Sequence, residues 1–524
     1  CLEWRAENTS EQLAFEFLYD DAGSVAEARW DRWTYADLRA QALGVATQLV
    51  AENINAGERV LLVYPAGLAF VAAFYGCLYA GVVPVPVTPP KRNNGWQRWQ
   101  HAVRDAEVTG ALTTADLADG ISEMLADAAG EQVTLRCVVT GVVTGVVTGA
   151  VTGAVTANEE IDVLQTLLPP LPVDDGSRLQ DIAFLQYTSG STSQPKGVMV
   201  THGNILANLQ QIEQQFDASE KDRLVSWLPH YHDMGLISSV LSPMYSGYAA
   251  TLMAPTAFLR RPLRWLEAAS FVGATGIGGP NFAYEHCIRK ATPEQVAALD
   301  LSRLKLAFNG AEMIRDETLI RFSETFAAAG FQSYNFFPCF GMAEATLFVT
   351  GTPLDAEPKR FRASASMLRQ FQQNLPLIES VNEQPLSSAE DDDKEYSTVV
   401  SCGKPVAGLT LRIVNPYNFE QCGDRQVGEI WFAGDNVAAG YWGQEQASKD
   451  SFEAKISHAT AEDCDTYFFR TGDLGFIEKG ELYMTGRLKE LIIIRGENYY
   501  PNDIEATASD ADKSLTAGGC AAFS

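Results

Sequence analysis

The chain has 524 residues, of which 46% are hydrophobic and 20% charged, and its formal net charge is −27. This length exceeds what one hydrophobic core supports, so at least two structural units are predicted. The acidic excess argues against nucleic-acid binding, because no basic stripe is available to neutralise phosphates. Nine cysteines without a C-x-x-C pair argue against a disulfide framework or a zinc site, and we expect them to be buried thiols in a reducing, cytoplasmic compartment.

The first strongly patterned segment, residues 58–87, predicts a strand, a helix and a second strand. Residues 60–64 are a short apolar run, residues 70–79 are apolar over a helical length, and Gly81 ends the helix before a proline-bounded strand. A strand–helix–strand unit places its two strands in parallel. The segment therefore predicts a parallel sheet covered by helices.

Residues 137–157 form an uncharged run in which V-T-G recurs every four residues. The run is long enough to cross a bilayer. Its threonine and glycine content, however, is typical of low-complexity sequence. We therefore expect a surface loop or an edge region here, and no membrane span.

The α/β pattern returns further along the chain. Residues 181–187 predict an apolar strand, and Thr201 is a typical N-cap for the amphipathic helix that follows. Residues 304–310 and 332–338 predict two further strands, which end in polar or glycine-rich turns. In open α/β sheets such strand ends are where ligands bind.

Beyond about residue 400 the sequence pattern changes and predicts short strands, at 409–414, 428–434 and 480–486. This pattern predicts a β-rich subdomain over residues 400–487, next to an α/β core over residues 1–399. The end of that core, at about 352–398, is a polar insertion whose composition indicates a linker or a mobile surface loop.

The last segment, residues 488–524, differs again in character. Thirty-six residues follow Leu488, fewer than the roughly 50 of a small domain. We therefore expect a hinge followed by the start of a truncated C-terminal domain.

The segment YTSGSTSQPKGVMVTH, residues 187–202, combines small polar residues with one lysine. Its small residues let backbone N–H groups and hydroxyls approach a polyanion, and Lys196 adds a point charge. The spacing differs from the G-x-x-x-x-G-K-[ST] loop, since no serine or threonine follows the lysine. By itself the segment fits both a phosphate site and an ordinary turn.

Four more motifs follow in order: NGAE at 309–312, FGMAE at 340–344, RTGDLG at 470–475 and GRLKELIIIRGENYYPNDIE at 486–505. Together with the loop they resemble the adenylate-forming superfamily, which includes acyl- and aryl-CoA ligases, luciferases and peptide-synthetase adenylation domains. The resemblance implies an ATP-dependent enzyme of the α/β class. Its large N-terminal domain would have βαβ-type sheets covered by helices, its small subdomain would be β-rich, and its C-terminal α+β domain would be mobile and truncated.

The resemblance also implies roles for individual residues. The implied nucleotide-binding residues are Thr188, Ser189, Gly190, Ser191, Thr192, Gly310, Ala311, Glu312, Phe340, Gly341, Met342, Asp473 and Arg487. Lys196 would contact the phosphates, Glu344 would hold Mg²⁺, and Lys489 would be the hinge pivot. Gly310, Ala311 and Phe340 would enclose adenine. Asp473 would accept from both ribose hydroxyls, with Arg487 beside it. Each has a plainer alternative: Glu344 as a helix cap, Asp473 as an Asx turn, Phe340 as a core residue.

Two stretches, WLPHYHDMGLI at 227–237 and GGPNFAYE at 278–285, resemble the fatty acyl-AMP ligase branch. The position of the polar insertion and Ala343 within FGMAE are also typical of that branch. The implied catalytic residues are His232, Lys196 and Glu344, and the implied acyl pocket comprises His232, Gly279, Pro280 and Phe282. His230 and His232, two apart on a segment taken as extended, are expected to face the same side; a metal pair is the alternative.

The implied reaction is ATP-dependent activation of a medium- or long-chain fatty acid to acyl-adenylate. Transfer to the phosphopantetheine thiol of an acyl carrier protein would follow. The alternatives are a fatty acyl-CoA synthetase and a non-catalytic nucleotide- and lipid-binding module. A local basic patch is hypothesised to receive the acidic carrier protein, with a solvated face as the alternative. The candidate patches are Arg260, Arg261 and Arg264, or Lys359, Arg360 and Arg362.

Overall fold

The computed structural model describes residues 1–89, 96–129, 135–140, 176, 178–188, 195–364, 396–490, 492–494, 497–499, 501, 504–505, 508 and 520–523. Several predictions lie outside these residues. They concern residues 141–157 of the V-T-G run, residues 365–395 of the polar insertion, most of residues 491–524, and Ser189, Gly190, Ser191 and Thr192 of the loop.

The strands are, in chain order, β1 Leu13–Leu18, β2 Trp30–Thr34, β3 Arg59–Val63, β4 Val83–Pro86, β5 Gly110–Thr113, β6 Arg136–Val139, β7 Ile182–Tyr187, β8 Gly197–Thr201, β9 Arg223–Ser226, β10 Ala249–Met253, β11 Gly276–Gly279, β12 Leu306–Asn309, β13 Phe336–Gly341, β14 Phe348–Gly351, β15 Arg360–Ser364, β16 Tyr396–Val400, β17 Lys404–Pro405, β18 Thr410–Val414, β19 Gly428–Ala433, β20 Phe469–Glu478, β21 Glu481–Arg487, β22 Ile492–Ile494 and β23 Glu497–Tyr499.

The α-helices are α1 Leu2–Asn8, α2 Tyr35–Ala51, α3 Leu68–Ala80, α4 Trp96–Asp105, α5 Ala118–Ala129, α6 His202–Phe216, α7 Asp233–Leu236, α8 Ser242–Ser246, α9 Pro255–Arg260, α10 Leu263–Val272, α11 Asn281–Lys290, α12 Pro293–Ala297, α13 Asp316–Phe326 and α14 Glu445–Phe452. Short turns of other helix types are a π-turn at Ile237–Leu241 and 3₁₀ turns at Ala327–Ala329, Ser333–Asn335, Ala343–Ala345 and Leu488–Glu490.

A nine-stranded sheet forms the centre of the molecule, in the order β17-β14-β13-β12-β11-β9-β10-β1-β2. Its interior strands β9 to β13, together with β1, run parallel. The edge strands β2, β14 and β17 run antiparallel to their neighbours. Because the interior strands are parallel, their carboxyl ends meet at one edge, where a ligand site is expected.

A second, all-parallel sheet has the order β4-β3-β5-β6. It contains the strand–helix–strand unit predicted for residues 58–87. Gly81 ends α3 with a left-handed φ of 68°, a conformation that glycine adopts without steric cost. The first residues of the V-T-G run belong to β6, which is an edge strand of this sheet. An edge region was one of the two expectations for that run.

The predicted β-rich region forms a four-stranded antiparallel sheet, β18-β19-β20-β21. The two described ends of the polar insertion pair as the antiparallel hairpin β15–β16. Phe361 and Val399 of this hairpin pack against Phe476 and Tyr483 of the four-stranded sheet. The α/β class with a large sheet domain and a small β-rich domain is confirmed, while the exact domain boundaries stay a prediction.

Three details differ from the sequence predictions. The strand at 181–187 pairs antiparallel with β8 in a hairpin instead of starting another parallel unit. The strand predicted at 332–338 begins only at Phe336, because Ser333–Asn335 form a 3₁₀ turn. No disulfide forms among the described residues, which include all nine cysteines. Cys1 and Cys464 are exposed, so the expectation that every cysteine is buried was wrong.

In the part of the chain that the structure describes, no helix is both long and apolar enough to cross a membrane.

Candidate active site

A cavity of about 850 Å³ lies where the parallel strands of the central sheet end. Trp227, Pro280, Gly310 and Met342 each follow the end of one of these strands and line the cavity. Residues 469–472, from β20 of the antiparallel sheet, line it as well. The cavity therefore lies between the two sheet systems, at the edge that strand polarity favours for ligands.

Most of the described candidate residues line this cavity. They are Thr188, Lys196, His232, Pro280, Phe282, Gly310, Ala311, Phe340, Gly341, Met342, Glu344, Arg487 and Lys489. Three candidates are not among the lining residues: Gly279, Glu312 and Asp473. Residues separated by up to 301 positions in the sequence thus meet at one site, although the role of each stays a prediction.

A lysine and a carboxylate meet at one end of the cavity through Tyr441. The hydroxyl of Tyr441 donates to Oε1 of Glu344 at 2.9 Å. The Nζ of Lys196 lies 4.2 Å from the centroid of the Tyr441 ring, as in a cation–π contact. Burial raises the pKa of Glu344 and lowers the pKa of Lys196. Both charges are therefore partly stripped of water, which strengthens their interaction with a bound ion.

The two ends of the predicted phosphate loop lie side by side. The N–H of Thr188 donates to the carbonyl of Lys196 at 3.1 Å. Two side chains of α4 reach the same region: Asp105 accepts from the Tyr187 hydroxyl at 2.6 Å, and Nε2 of His101 contacts the Pro195 carbonyl at 2.8 Å. These contacts therefore anchor β7 and the chain before β8 to α4.

Asp473 and Arg487 form an ion pair next to the cavity. Nε of Arg487 donates to Oδ1 of Asp473 at 2.7 Å, and β20 and β21 place the two residues directly opposite each other. Only 3% of the Asp473 side chain is exposed, against 51% for Arg487. Burial raises the pKa of Asp473 to about 6, although the guanidinium beside it acts in the opposite direction. Arg487 lies beside Asp473, as the resemblance implied.

The adenine site is predicted where β12 and β13 end. Gly310 and Ala311 follow β12, and Ala311 has a left-handed φ of 70°. Phe340, in β13, is 5% exposed and lines the cavity, so it is both a core residue and a cavity residue. Oε1 of Glu312 accepts from the Phe282 N–H at 3.3 Å. Glu312 therefore contacts the chain that begins α11, which connects the predicted adenine and acyl sites.

Aromatic side chains surround another part of the cavity. The ring of Trp227 stacks on Phe258 with centroids 4.1 Å apart, and Phe282 meets Trp227 edge-on at 5.7 Å. A Cβ at Gly279 would lie 3.2 Å from the Trp227 ring, so the glycine permits this close packing. Trp227, Pro280 and Phe282 give this end an apolar lining.

The expectation that His230 and His232 share one side of an extended segment is wrong. The N–H of His232 donates to the Pro229 carbonyl at 3.1 Å, which folds residues 229–232 into a turn. His232 lines the cavity, whereas the His230 ring packs on Phe70 with centroids 3.9 Å apart. Burial lowers the pKa of His230 to about 3, so this imidazole is neutral. The two rings therefore do not form a pair.

The two basic clusters are paired with carboxylates inside the molecule. Arg260, Arg261 and Arg264 all approach Asp20, and only 1% of the Arg264 side chain is exposed. In the second cluster, Lys359 pairs with Glu481 and Arg360 with Asp316. In the first cluster a single carboxylate is shared by three guanidinium groups, and in the second cluster Lys359 and Arg360 each have a carboxylate of their own. Docking of a carrier protein at either cluster stays a prediction.

Tyr441 and Asp233 are among the cavity residues that the motifs did not single out. Tyr441 lies 97 residues from Glu344 in the sequence, so no local pattern could show their contact. The glycine–tyrosine–tryptophan run at 440–442 was the only available signal. Asp233 directly follows His232, and burial raises its pKa to about 6. Its position inside a quoted motif could have identified it.

The parallel sheet, the cavity at its strand ends and the antiparallel sheet that completes the lining define the class: this is the fold of the adenylate-forming enzymes. A sequence model described as AMP-binding enzyme matches residues 2–442, and the chain belongs to that family.

Individual relatives cover almost the whole chain. It is 36% identical over 525 residues to the medium-chain-fatty-acid–acyl-carrier-protein ligase JamA of Moorena producens, covering 100% of this chain and 82% of that protein. It is 34% identical over 525 residues to the long-chain-fatty-acid–AMP ligase FadD32 of Mycolicibacterium smegmatis, covering 98% and 77%.

A solved structure of a fatty acyl-adenylate ligase has a fold similar to that of this chain. The fatty acyl-adenylate ligase from Legionella pneumophila, in complex with acyl adenylate and pyrophosphate, has a TM-score of 0.78 and 34% sequence identity. The match covers 100% of this chain and 82% of that one.

Proposed function

We propose that this chain activates a medium- or long-chain fatty acid with ATP to an acyl-adenylate and then transfers the acyl group to the phosphopantetheine thiol of an acyl carrier protein. One observation carries the proposal: a single cavity joins a charged end, with Lys196 and Glu344, to an apolar end, with Trp227 and Phe282. Such a cavity suits a ligand with a triphosphate at one end and a hydrocarbon chain at the other. The names of JamA and FadD32 support the same substrates.

The first half-reaction needs no nucleophile from the protein. A fatty-acid carboxylate oxygen attacks the α-phosphorus of ATP, the bond from that phosphorus to the bridging oxygen breaks, and pyrophosphate leaves. Charge moves onto phosphate oxygens, and Lys196 would stabilise it as a fixed cation in a partly desolvated site. Phe340 would stack on adenine, and Asp473 would accept from the ribose hydroxyls. These contacts hold the reactants in a geometry suited to attack.

The second half-reaction forms the thioester. The thiol sulfur of the carrier protein loses its proton to water and bonds to the acyl carbon as the bond from that carbon to the phosphate oxygen breaks, and AMP leaves with the bonding electron pair. His232 lines the cavity beside Trp227 and Pro280, where the acyl carboxyl group is proposed to lie. Burial lowers the pKa of His232, which favours its neutral imidazole. A neutral His232 ring can hydrogen-bond to the fatty acid, but it carries no positive charge that would hold the fatty-acid carboxylate away from the α-phosphorus of ATP.

Mg²⁺ is part of the proposal, with Glu344 as its ligand from the protein. Glu344 is 8% exposed, and its Oε1 already accepts from Tyr441. Among the described residues, no group of three or more His, Cys, Asp or Glu side chains could form a metal cage. Mg²⁺ is usually held by one or two carboxylates together with substrate phosphates, so a single carboxylate beside the phosphate end fits it. When bound, Mg²⁺ neutralises phosphate charge.

We also infer the larger organisation from the same residues. Residues 1–399 would be the α/β core, residues 400–487 the β-rich subdomain, and the segment from residue 488 the hinge region. Lys489 lies in the 3₁₀ turn Leu488–Glu490, directly after β21, and its side chain lines the cavity. A pivot there would change the cavity wall when it turned. We also propose a cytoplasmic location, because the proposed reaction needs both ATP and a carrier protein, and these meet in the cytoplasm.

The decisive test follows both half-reactions separately. Purified protein would be incubated with ATP, Mg²⁺ and fatty acids of several lengths, and acyl-adenylate and pyrophosphate measured. Preformed acyl-adenylate would then be offered to holo-carrier protein and to coenzyme A, with product masses recorded. We expect acylated carrier protein and little acyl-CoA.

Two results would contradict the proposal. Preferential acylation of coenzyme A would show a fatty acyl-CoA synthetase instead. A protein that also contains the part of its relatives' length not covered by this chain could bind ATP and fatty acid without releasing pyrophosphate. That result would show a non-catalytic module. The variant Glu344→Gln is the control that should bind fatty acid but adenylate poorly.

A further inference from the structure

Tyr441 is held between the two chain segments that carry the charged residues of the cavity. The Met199 N–H donates to the Gly440 carbonyl at 2.9 Å, and the Trp442 N–H donates to the Gly197 carbonyl at 2.8 Å. These bonds attach the tyrosine to β8, the strand that begins directly after Lys196. On the other side, the Ala438 N–H donates to the carbonyl of Glu344 at 2.9 Å.

We propose that Tyr441 is a positioning residue that fixes the Glu344 carboxylate and the Lys196 ammonium relative to each other, so that metal-bound nucleotide phosphates meet both. The inference rests on the proposed adenylation function. The two parts of the tyrosine have separate partners: its hydroxyl contacts Glu344 and its ring contacts Lys196. The two contacts can therefore be removed one at a time.

The hydroxyl acts on the carboxylate. Glu344 is buried, and a buried carboxylate without a donor is costly. The hydrogen bond from Tyr441 gives Oε1 a donor. Burial and then the nearby Glu344 carboxylate raise the pKa of Tyr441, so the phenol keeps its proton and remains a donor. The hydrogen bond thereby orients the Glu344 carboxylate before any ligand binds.

The ring acts on the lysine. Its face lies 4.2 Å from Nζ of Lys196, within the range of a cation–π contact. A flexible lysine side chain would otherwise lose rotamer freedom when it met a phosphate. With the ammonium already resting on the ring, less freedom is lost on binding. Tyr441 is itself 6% exposed and backed by α14, where Ser448 Oγ accepts from its N–H at 2.9 Å.

The test compares ATP dissociation constants in EDTA and in excess MgCl₂ for Tyr441→Phe and Tyr441→Leu. Tyr441→Phe keeps the ring and should leave ATP binding in EDTA within about twofold, while Mg²⁺ enhances affinity about tenfold less than in the wild type. Tyr441→Leu removes the ring and should also weaken binding in EDTA about fivefold. The matched control is Tyr75→Phe, whose buried hydroxyl donates to the Val240 carbonyl at 3.2 Å, away from the cavity.

A double-mutant cycle guards against a purely structural effect. In a Glu344→Gln background, Tyr441→Phe should change the Mg²⁺ enhancement no further, because the hydroxyl acts through the carboxylate. Three results would overturn the inference: unchanged Mg²⁺ enhancement in Tyr441→Phe, equal loss of EDTA binding in both variants, or a full effect of Tyr441→Phe in the Gln background. If Tyr441→Leu fails to fold, Tyr441→Phe and the cycle still decide.

The outcome is separate from that of the proposed function. A wild-type protein that releases no pyrophosphate with any fatty acid would defeat the proposed reaction. The binding comparison would still report whether Tyr441 couples the two charged residues to ATP and Mg²⁺.

Discussion

Replacing Asp473 by asparagine tests the proposed ribose site most sharply, because the change removes charge but little volume. Two charge-assisted hydrogen bonds from ribose hydroxyls contribute about 1.5 kcal/mol each or more, so ATP should bind about 100-fold more weakly. Folding stability should change little. Burial raises the pKa of Asp473 to about 6, so the ionised side chain costs the folded state free energy near neutral pH, and asparagine removes that cost together with the ion pair to Arg487. The free energy of unfolding should therefore fall by no more than about 1 kcal/mol.

The assay is calorimetric binding of ATP and of 2′,3′-dideoxy-ATP to both proteins. The wild type should prefer ATP by about 100-fold, and Asp473→Asn should bind the two nucleotides about equally. Asp463→Asn is the matched control, since this carboxylate is also 3% exposed and pairs with Arg412 at 2.8 Å in the same β-rich region. It should keep the wild-type preference. If Asp473→Asn discriminated between the nucleotides as the wild type does, Asp473 would not bind the ribose.

Three further predictions concern the rest of the cavity. Burial raises the pKa of Asp473 to about 6, so its accepting, ionised form is lost as the pH falls through that value. ATP affinity should be about tenfold lower at about pH 5 than at about pH 7.5, and a pH dependence equal to that of Asp473→Asn would refute this. Lys196→Ala should raise the KM for ATP in pyrophosphate exchange about tenfold or more, and an unchanged KM would remove the lysine from the phosphate site. Phe282→Trp narrows the apolar end of the cavity and should shift the enzyme's preference towards shorter fatty acids in a competition experiment. A variant with the same chain-length preference as the wild type would show that the acyl chain lies elsewhere.

Features set by contiguous sequence were predictable. The apolar run after Arg59, the helix that follows it and the glycine at its end fixed a parallel unit before any long-range contact was known. Thr201 begins α6 with the capping box that its type and position suggest. The ordered motifs brought Lys196, Glu344 and Arg487 to one cavity: Lys196 directly precedes β8, Glu344 follows β13 and Arg487 ends β21.

Features set by distant residues were not predictable. A backbone bond to Pro229 turns the chain at His232, and the spacing of two histidines carries no information about that bond. Asp20 pairs with an arginine cluster about 240 residues away, and nothing in the local sequence shows that contact. Tyr441 is the clearest case, since its buried position depends on pairing with β8 and its partners belong to two other motifs.

One cavity is proposed to hold the nucleotide and the fatty acyl chain together. A crystal structure with a bound non-hydrolysable acyl-adenylate analogue would show this arrangement. We expect the ribose hydroxyls within hydrogen-bonding distance of the Asp473 carboxylate, adenine against Phe340, and the acyl chain beside Trp227 and Phe282. An analogue bound outside this cavity, or with its ribose away from Asp473, would contradict it.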